Sequence, residues 1–318
     1  MKNWTSGFGS ILLLVLLALA FAGCRGEAPE GEEGAPASAA AEIVMPMDLG
    51  LVTPGVISTD GGEAFPAISP DATELYFAKH GPGWTDFSLH VAKRAEGGWG
   101  QPTQLQFSGE YNDRAPFLSL DGSALFFSSD RPLLGSEAGA SDFNLWVSRR
   151  DESSKWSEPE PAHGVNSDSN DFHAAVTRDG VLYFSSDRAG GLGMYDLYRA
   201  VPEGDGYGQP ENLGPQINTA GEETDVYVDP DETFIIVVAT DREGGRGGDD
   251  LWLSRREEDG WSELENLLGP TNSDTYEYGP FITPNRQYLL LTTHRRGLGD
   301  IVRVQVASIP PLADVVLK

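Results

Sequence analysis

The chain has 318 residues, with 49 acidic and 22 basic side chains and a formal net charge of −27 at pH 7. Because nucleic acids and anionic lipid surfaces attract clustered Lys and Arg, this balance excludes nucleic acid as a partner. A single cysteine excludes intramolecular disulfides, so stability must come from a hydrophobic core, which a chain of this length can bury. The negative charge is consistent with a soluble monomer, or with attraction of cations and basic surfaces.

The first 23 residues have the pattern of a secretory signal peptide. Lys2 gives a positive start, Ile11 to Phe21 form an apolar core, and small residues precede the only cysteine, Cys24. The apolar run is shorter than the ~20 residues that a membrane-spanning helix needs. The tetrapeptide FAGC at positions 21 to 24 resembles a bacterial lipobox, which implies cleavage before Cys24 and acylation of its thiol and its new amine. The alternative is an ordinary signal peptide with an incidental cysteine.

A flexible tether follows the signal. Residues 24–46 start with Cys24 and consist mainly of Ala, Gly, Pro and Glu, with few large apolar side chains that could pack. The folded domain is therefore expected over residues 47–318. Lipidation of Cys24 implies a place in the cell envelope, anchored to the bacterial outer membrane and facing the periplasm or the surface. The lipid would be the only contact with the membrane.

One phrase occurs five times in the rest of the chain: an acidic residue, a short apolar run, a turn and a second apolar run. The copies are EAFPAISPDATELYF from Glu63, DRAPFLSLDGSALFF from Asp113, DFHAAVTRDGVLYF from Asp171, ETDVYVDPDETFIIV from Glu223 and EYGPFITPNRQYLLL from Glu277. The turn residues of these copies are spaced by 50, 58, 52 and 54 residues, at Asp71, Asp121, Asp179, Asp231 and Asn285. A fixed period of this size is typical of solenoids, propellers and arrays.

Each repeat contains short runs of aromatic and β-branched residues separated by Gly, Pro, Asp and Ser, which predicts strands and turns. A third run, such as DFNLWVSRR, and a short polar fourth run, such as KWSEPEPA, complete the repeat. Four strands in about 50 residues is the arrangement of a propeller blade. We therefore predict an all-β fold, a five-bladed β-propeller with four-stranded blades; six blades are the alternative.

The fifth repeat ends without a fourth run. The segment LGLVTPGVIST, from Leu49 to Thr59, is similar to ENLGPQINT and ENLLGPTNS, which follow other fourth strands. We predict that this N-terminal segment pairs with the last blade and closes the ring, because an open blade would present an unpaired sheet edge.

These repeats resemble the TolB-like, WD-repeat-like propeller repeats of bacterial envelope proteins. The motifs that carry the resemblance are SPD at Ser69–Asp71, SSDR at Ser128–Arg131 and Ser185–Arg188, TDREGG at Thr240–Gly245, and DLY or DLW at Asp196–Tyr198 and Asp250–Trp252. The likeness spans roughly residues 49–307 and implies a family made up mostly of scaffolds and binding modules. SSDR is altered at Ala78–His80 and at Thr292–Arg295, so those two blades are expected to present different surfaces.

An acid stands eight residues before each turn residue, at Glu63, Asp113, Asp171, Glu223 and Glu277. The inner strand of a propeller blade lines the central channel, so these five carboxylates are predicted to recur around it. Such a ring could hold a cation such as Ca²⁺, which prefers oxygen ligands. The alternative is a buried hydrogen bond or ion pair, with the Arg of SSDR as partner, repeated because the blade is repeated. We favour the structural interpretation and predict no metal ion or other cofactor.

Enzyme signatures are missing from the sequence. It contains no GxSxG, HExxH, Walker or Rossmann motif, and its five histidines lack metal-ligand spacing, so we assign no catalytic residues. We predict an envelope-anchored, non-catalytic binding or scaffold lipoprotein that recognises a protein, peptidoglycan or a glycan. The alternative is a five-bladed glycoside hydrolase that uses carboxylates of the central channel. A symmetric ring argues against this alternative, because an acid and a base need unequal pKa values.

Replacing Cys24 with Ser should release the protein from the membrane fraction, since the acylated cysteine would be its anchor. Mass spectrometry of the wild-type protein should find a diacylglyceryl group on an N-terminal Cys24. A wild-type chain that is soluble and cleaved at another position would contradict the lipidation.

Overall fold

The computed structural model describes residues 50–133, 142–151 and 153–317. The predicted signal peptide (1–23), the lipidation site Cys24 and the tether (24–46) lie outside the described residues. The described residues form a β-propeller of five blades, and each blade is an antiparallel sheet with four strand positions. The prediction of an all-β, five-bladed propeller is confirmed, and the six-bladed alternative is wrong.

The strands follow one another from a closing strand through the five blades, and β1 is Gly50–Leu51. Blade 1 contains β2 (Gly62–Ile68), β3 (Glu74–Gly81), β4 (Thr85–Ala95), β5 (Gly98–Trp99) and β6 (Thr103–Gln104). Blade 2 contains β7 (Asp113–Leu118), β8 (Ala124–Ser129), β9 (Asn144–Arg149) and β10 (Glu160–Pro161).

The remaining blades continue this order. Blade 3 contains β11 (Asp171–Val176), β12 (Leu182–Ser186), β13 (Asp196–Ala200), a small hairpin of β14 (Pro202–Glu203) and β15 (Gly206–Tyr207), and β16 (Glu211–Asn212). Blade 4 contains β17 (Glu222–Val228), β18 (Phe234–Thr240), β19 (Asp249–Glu257), β20 (Gly260–Trp261) and β21 (Glu265–Asn266). Blade 5 contains β22 (Glu277–Ile282), β23 (Tyr288–Thr293) and β24 (Asp300–Gln305).

The ring is closed by its N-terminal strand. The inner strands β2, β7, β11, β17 and β22 each contact the inner strands of the two neighbouring blades. β1 pairs antiparallel with β24 and supplies the fourth strand of blade 5. Just after β1, the hydroxyl of Ser58 donates to the carbonyl of Ile301 at 2.7 Å, and Ile57 is fully buried. The predicted closure is therefore confirmed.

Side chains of the turn fix the hairpin between the first two strands of a blade. In blade 1, Asp71 Oδ1 accepts hydrogen bonds from the Ser69 hydroxyl at 2.6 Å and from the Thr73 N–H at 3.1 Å. These bonds hold the pKa of Asp71 below its usual value. Asp121 makes the same contacts with two serines in blade 2. Asn285 accepts equivalent bonds in blade 5, so local capping accounts for the turn residue in these three blades.

Every inner strand contains a β-bulge. Two residues leave the pairing with the second strand in each blade: Phe65–Pro66, Ala115–Pro116, His173–Ala174, Thr224–Asp225 and Gly279–Pro280. Pro has no N–H to donate to a ladder, and it is tolerated where the ladder is interrupted, as at Pro66, Pro116 and Pro280. A bulge also redirects side chains. It therefore decides which residues face the channel.

Hydroxyl groups join the bulges from blade to blade. The N–H of His173 in blade 3 donates to Ser128 Oγ of blade 2 at 3.0 Å. The N–H of Phe65 in blade 1 donates to Thr292 Oγ1 of blade 5 at 3.0 Å. Ser128 is the first residue of an SSDR motif and Thr292 is its equivalent, so this position holds the next blade at two places in the ring; Ser185, which begins the other SSDR copy, makes no such bond among the described residues.

A short helix follows the last blade, and the sequence analysis did not predict it. It runs over Pro310–Val316 with Leu312 and Val316 buried, and Arg286 Nε donates to the Val316 carbonyl at 2.9 Å. A helix of 7 residues that starts with two prolines is too short to give a periodic signal. In the part of the chain that the structure describes, no helix has the length and apolar character needed to cross a membrane.

A chain that lacks residues 43–59 should lose the cooperative melting transition of the domain. The deletion removes β1 and the buried Ile57, and it leaves the edge of β24 unpaired. Circular dichroism melting with light scattering would detect the loss and the resulting aggregation. A chain that lacks only residues 25–42 is the control and should melt like the full chain. An unchanged transition after deletion of 43–59 would contradict the closure.

Candidate functional site

The five carboxylates predicted from the repeat lie at the start of the inner strands. They are almost completely buried, with exposed fractions of 0 or 1%. Each one is next to a basic residue near the end of the second strand of its own blade. The N–O distances are 3.8 Å for Lys79 and Glu63, 2.7 Å for Arg131 and Asp113, 2.6 Å for Arg188 and Asp171, 3.4 Å for Arg242 and Glu223, and 3.1 Å for Arg295 and Glu277.

A hydroxyl group from the segment before each blade adds a second donor to each carboxylate. These donors are Thr59, Ser108, Ser167, Thr219 and Ser273. Within the described ranges, no group of three or more His, Cys, Asp or Glu side chains is arranged to hold a metal ion. The structure places the five acids in five separate environments and does not bring them together. We infer that their role is to hold each blade in register.

The channel is lined at a different register, two residues after each acid. The residues there are Phe65, Ala115, His173, Asp225 and Gly279, a different type in every blade. Gly279 has φ 61°, close to the values of 56°, 52° and 54° at Phe65, Ala115 and His173, and a Cβ on it would lie 3.1 Å from the Phe65 Cα, so a side chain here would crowd Phe65. Its N–H donates to Asp225 Oδ2 at 2.7 Å. The channel is therefore asymmetric although the scaffold repeats.

The channel opens at one end into a cavity of about 210 Å³, which we call the channel-mouth pocket. Its aromatic lining consists of Phe65, Trp84, Phe172, Tyr195 and Tyr278. Its polar lining consists of Arg114, His173, Thr224, Asp225 and Asp249. All five blades contribute at least one of these residues, so the pocket exists only in the closed ring.

Two grooves of larger volume lie elsewhere on the propeller. One of about 430 Å³ lies between blades 5 and 1 beside β1, and one of about 470 Å³ lies between blades 2 and 3. Both are lined largely by the turns of the first hairpins and by residues of the outer strands. The channel-mouth pocket is the better candidate because polar side chains converge on it from several blades.

Aromatic rings form a continuous series around the pocket. In the order Trp84, Tyr278, Phe65, His173, Phe172 and Tyr195, successive ring centroids are 5.3, 5.1, 5.1, 5.7 and 5.7 Å apart. Rings at such separations stabilise one another. Trp84 is the exposed end of the series, with 42% of its surface accessible. Trp84 therefore presents an exposed ring at the edge of the pocket.

Trp84 packs on two histidines at the positions where SSDR is altered. Its ring centroid lies 5.2 Å from that of His80 and 5.6 Å from that of His294. In blades 2 and 3 the same positions are Asp130 and Asp187, which accept backbone N–H groups of the preceding loop. The two blades in which the motif is altered thus support the indole at the entrance of the pocket.

His173 and Asp225 are paired across blades 3 and 4. His173 Nδ1 donates to Asp225 Oδ1 at 2.7 Å and lies 3.1 Å from the Thr224 carbonyl oxygen. His173 Nε2 is buried and has no hydrogen-bond partner among the described residues. A buried polar atom without a partner costs about 1–3 kcal/mol. This nitrogen is therefore a candidate contact for a ligand.

Asp249 has the most clearly shifted carboxyl group of the pocket. Burial raises the pKa of Asp249 to about 6, and the nearby carboxylates of Asp225, Glu222 and Asp241 act in the same direction. The hydroxyl of Thr240 donates to Asp249 at 2.7 Å and opposes the shift. Asp249 therefore titrates close to neutral pH. Carboxyl groups with a shifted pKa are frequent at functional sites.

The repeat pattern predicts the buried acids but not the residues of the pocket. The acids recur in every blade, whereas Arg114, His173 and Asp225 each occur in one blade. The signal that could have found His173 and Asp225 is the position two residues after the acid, which is Phe, Ala, His, Asp and Gly in the five copies; Arg114 lies one residue after the acid, at a position that is Ala, Arg, Phe, Thr and Tyr. The scaffold does not require a particular residue type at a position that varies among otherwise regular repeats.

No protein-family model matches the chain, and no curated protein matches its sequence. Among solved structures, it is similar to TolB from Acinetobacter baumannii, with 18% identity over 77% of this chain and 54% of that one and a TM-score of 0.45. BT0996, solved as a complex with RGII, matches with 9% identity over 82% of this chain and 91% of that one, and a TM-score of 0.57. An α-L-arabinofuranosidase from Lactobacillus brevis matches with 14% identity over 73% of this chain and 82% of that one, and a TM-score of 0.42.

These comparisons bear on the fold alone, because all three identities are low. The chain spans about half of the TolB structure, 54% of its length. Binding proteins and enzymes both occur among the similar propellers, so the likeness does not choose between them. Membership of the TolB-like family and the lipoprotein form stay predictions.

Replacing Asp113 with Ala should destabilise the fold by about 3–5 kcal/mol, because Arg131 would be left buried without its partner. Denaturant unfolding gives the free energy. Asp231→Ala is the matched control: its ion pair with Arg178 is exposed, so the unfolding midpoint should hardly change. Added Ca²⁺ should shift neither midpoint. An unchanged midpoint for Asp113→Ala, or a Ca²⁺ shift that this variant loses, would contradict the structural role.

Replacing Asp249 with Asn should stabilise the protein at pH 7.5 and have little effect at pH 4. The folded pKa of about 6 lies above the unfolded value of 3.8, so the folded state binds the proton more tightly. The contribution of Asp249 is therefore full below about pH 4 and is lost as the pH rises through about 6. The Asn variant does not show this loss, which lowers the free energy of unfolding of the wild type by up to about 3 kcal/mol. Denaturant unfolding at both pH values measures it; a variant less stable at pH 7.5 would contradict the shift.

Proposed function

We propose that the chain is an envelope-anchored, non-catalytic binding propeller that recognises a glycan at the channel-mouth pocket. One observation carries the proposal: a cavity of about 210 Å³ combines five aromatic side chains with buried polar atoms that have no partner among the described residues. Apolar walls with a few oriented polar groups are the general form of sites for small ligands.

The size and lining of the pocket suit a sugar ring better than a protein surface. Drug-sized ligands occupy about 300–1,000 Å³, so a cavity of about 210 Å³ accommodates one ring at the end or side of a longer chain. The apolar C–H face of a pyranose would pack on Trp84 and Tyr278. Its hydroxyl groups would bond with His173 Nε2 and Asp249. A protein partner would require a broader contact surface than this cavity offers.

The proposed function includes a lipid anchor at Cys24. Acylated Cys24 would hold the chain at the membrane, and residues 24–46 would separate the propeller from it. A flexible tether of this length has a root-mean-square span of about 25–30 Å. The net charge of −27 would keep the domain away from anionic lipid. The pocket would then meet glycans of the envelope without lying on the bilayer.

Asp225 and Asp249 favour a second candidate function, a glycoside hydrolase. The two carboxyl groups lie in the same pocket but in different environments, since Asp225 is paired with His173 and the pKa of Asp249 is raised to about 6. A general acid and its partner carboxylate need different environments of this kind. The site residues of this candidate would be Asp225 and Asp249, and the five buried acids would have no part in it.

Replacing Trp84 with Ala should weaken glycan binding about tenfold or more, because the substitution removes the exposed wall of the pocket. A glycan array with residues 47–318 identifies the ligands, and calorimetry with the best of them gives the affinities. Leu268→Ala is the control, since Leu268 is exposed and lies outside the pocket lining. Equal affinities for the wild type and Trp84→Ala, or an array without any bound glycan, would contradict the proposed site.

Product analysis separates the two candidate functions. The wild type is incubated with each glycan that it binds, and released reducing ends are measured. A binding protein should leave these glycans intact. Turnover that is lost in both Asp225→Asn and Asp249→Asn would instead support the hydrolase.

A further inference from the structure

Arg114 is a half-buried cation that lacks the carboxylate partner of Arg131 and Arg188. It follows the acid Asp113 in the inner strand of blade 2 and lines the channel-mouth pocket. Its Nε is buried and has no hydrogen-bond partner within the described residues. Arg131 and Arg188, by contrast, lie 2.7 and 2.6 Å from carboxylate oxygens of their own blades. In the same described ranges, no carboxylate lies within ion-pair distance of the Arg114 guanidinium.

Aromatic rings hold the Arg114 guanidinium in place. Its central carbon lies 4.1 Å from the ring centroid of Phe143, 4.4 Å from that of Phe172 and 5.6 Å from that of Phe87. Stacking on aromatic faces fixes the plane of the guanidinium but uses none of its N–H groups. The N–H edge therefore stays free to bind a planar anion.

The charge on Arg114 persists at physiological pH. Burial lowers the pKa of Arg114 to about 10, while the charges of Asp225 and Tyr195 act in the opposite direction. A group with this pKa stays protonated at pH 7. A buried charge without a hydrogen-bonded partner destabilises a fold unless a ligand supplies that partner. A carboxylate is the natural complement, because two parallel N–H···O bonds match the guanidinium edge.

The acidic side chains of the pocket restrict where an anionic group can bind. Arg114 belongs to blade 2, whereas Asp225 and Asp249 belong to blade 4, which does not adjoin blade 2 in the ring. A ligand with one carboxylate can therefore place it at Arg114 and direct its hydroxyl groups towards Asp249. The charge of −27 repels anions at long range, but salt screens this repulsion beyond about 8 Å.

We propose that the channel-mouth pocket selects an acidic sugar, a uronate residue whose carboxylate pairs with Arg114. This inference rests on the proposed glycan binding and adds the chemical class of the ligand. The aromatic series packs on the pyranose ring, His173 Nε2 and Asp249 bond with hydroxyl groups, and Arg114 discriminates a uronate from the corresponding neutral sugar.

The test compares oligosaccharides that differ only in the carboxylate. Calorimetry with residues 47–318 uses oligomers of glucuronate, galacturonate, mannuronate and guluronate, each beside its fully methyl-esterified form. At least one free acid should bind tenfold or more tightly than its ester. Arg114→Gln should remove this preference, so that the variant binds acid and ester with similar affinity. Arg114→Lys should keep part of the preference, because the charge remains and the two-pronged donor is lost. Arg178→Gln is the control, since Arg178 is exposed and outside the pocket.

The outcomes separate this inference from the proposed function. Equal binding of acid and ester by the wild type would overturn the acidic-sugar inference and leave glycan binding in place. A preference for the acid that survives in Arg114→Gln would also overturn it. Tighter binding of a peptide with a free C-terminal carboxylate than of any uronate would overturn both. Absence of binding to every acid and every ester would likewise reject both. The comparison of acid with ester in the wild type does not depend on the folding of any variant.

Discussion

The buried contact between an acid and a base at the start of each inner strand is the interaction on which the propeller depends. It joins the inner strand, the end of the second strand and the segment before the blade, as Arg188, Ser167 and Asp171 do in blade 3. The carboxylates are out of water, so they cannot lose their basic partners without a large loss of stability. The three segments are thereby held in one register. The same contact in all five blades sets the inner strands around a common channel.

The asymmetry of the candidate site is a consequence of this scaffold. The bulge that follows each acid directs one side chain per blade at the channel, and no scaffold contact requires the same residue type there. His173 and Asp225 can therefore differ from their equivalents without disturbing the blades. The altered SSDR motifs at the end of the second strand are a further example of positions that differ among blades. His80 and His294 occur there and support Trp84. The specific pocket of this repeat protein is therefore formed by positions at which the repeats have different residue types.

The pocket contains groups that lower the stability of the free protein, although other buried atoms without partners, such as Arg199 Nε and Trp146 Nε1, lie outside it. Arg114 and His173 have buried nitrogens without partners among the described residues, and the pKa of Asp249 is raised to about 6 by burial and by neighbouring acids. Elsewhere in the fold the buried carboxylates that begin each inner strand are fully paired. Proteins retain such unfavourable groups mainly where function requires them. Their meeting in one cavity is a physical argument for a binding site that does not depend on any relative.

The sequence by itself determined the number of blades, the strands of each blade, their turns and the closing segment. These features depend on local patterns, namely strand composition, turn chemistry and a period near 50 residues. All three patterns can be recognised in the sequence alone. The tertiary structure decided which register faces the channel, because a two-residue bulge shifts the alternation of side chains and leaves no pattern of its own. It also decided that Trp84, Arg114 and Asp249, which lie on three blades, meet in one pocket. Burial and pKa depend on distances between residues far apart in the chain, and only the closed ring sets those distances.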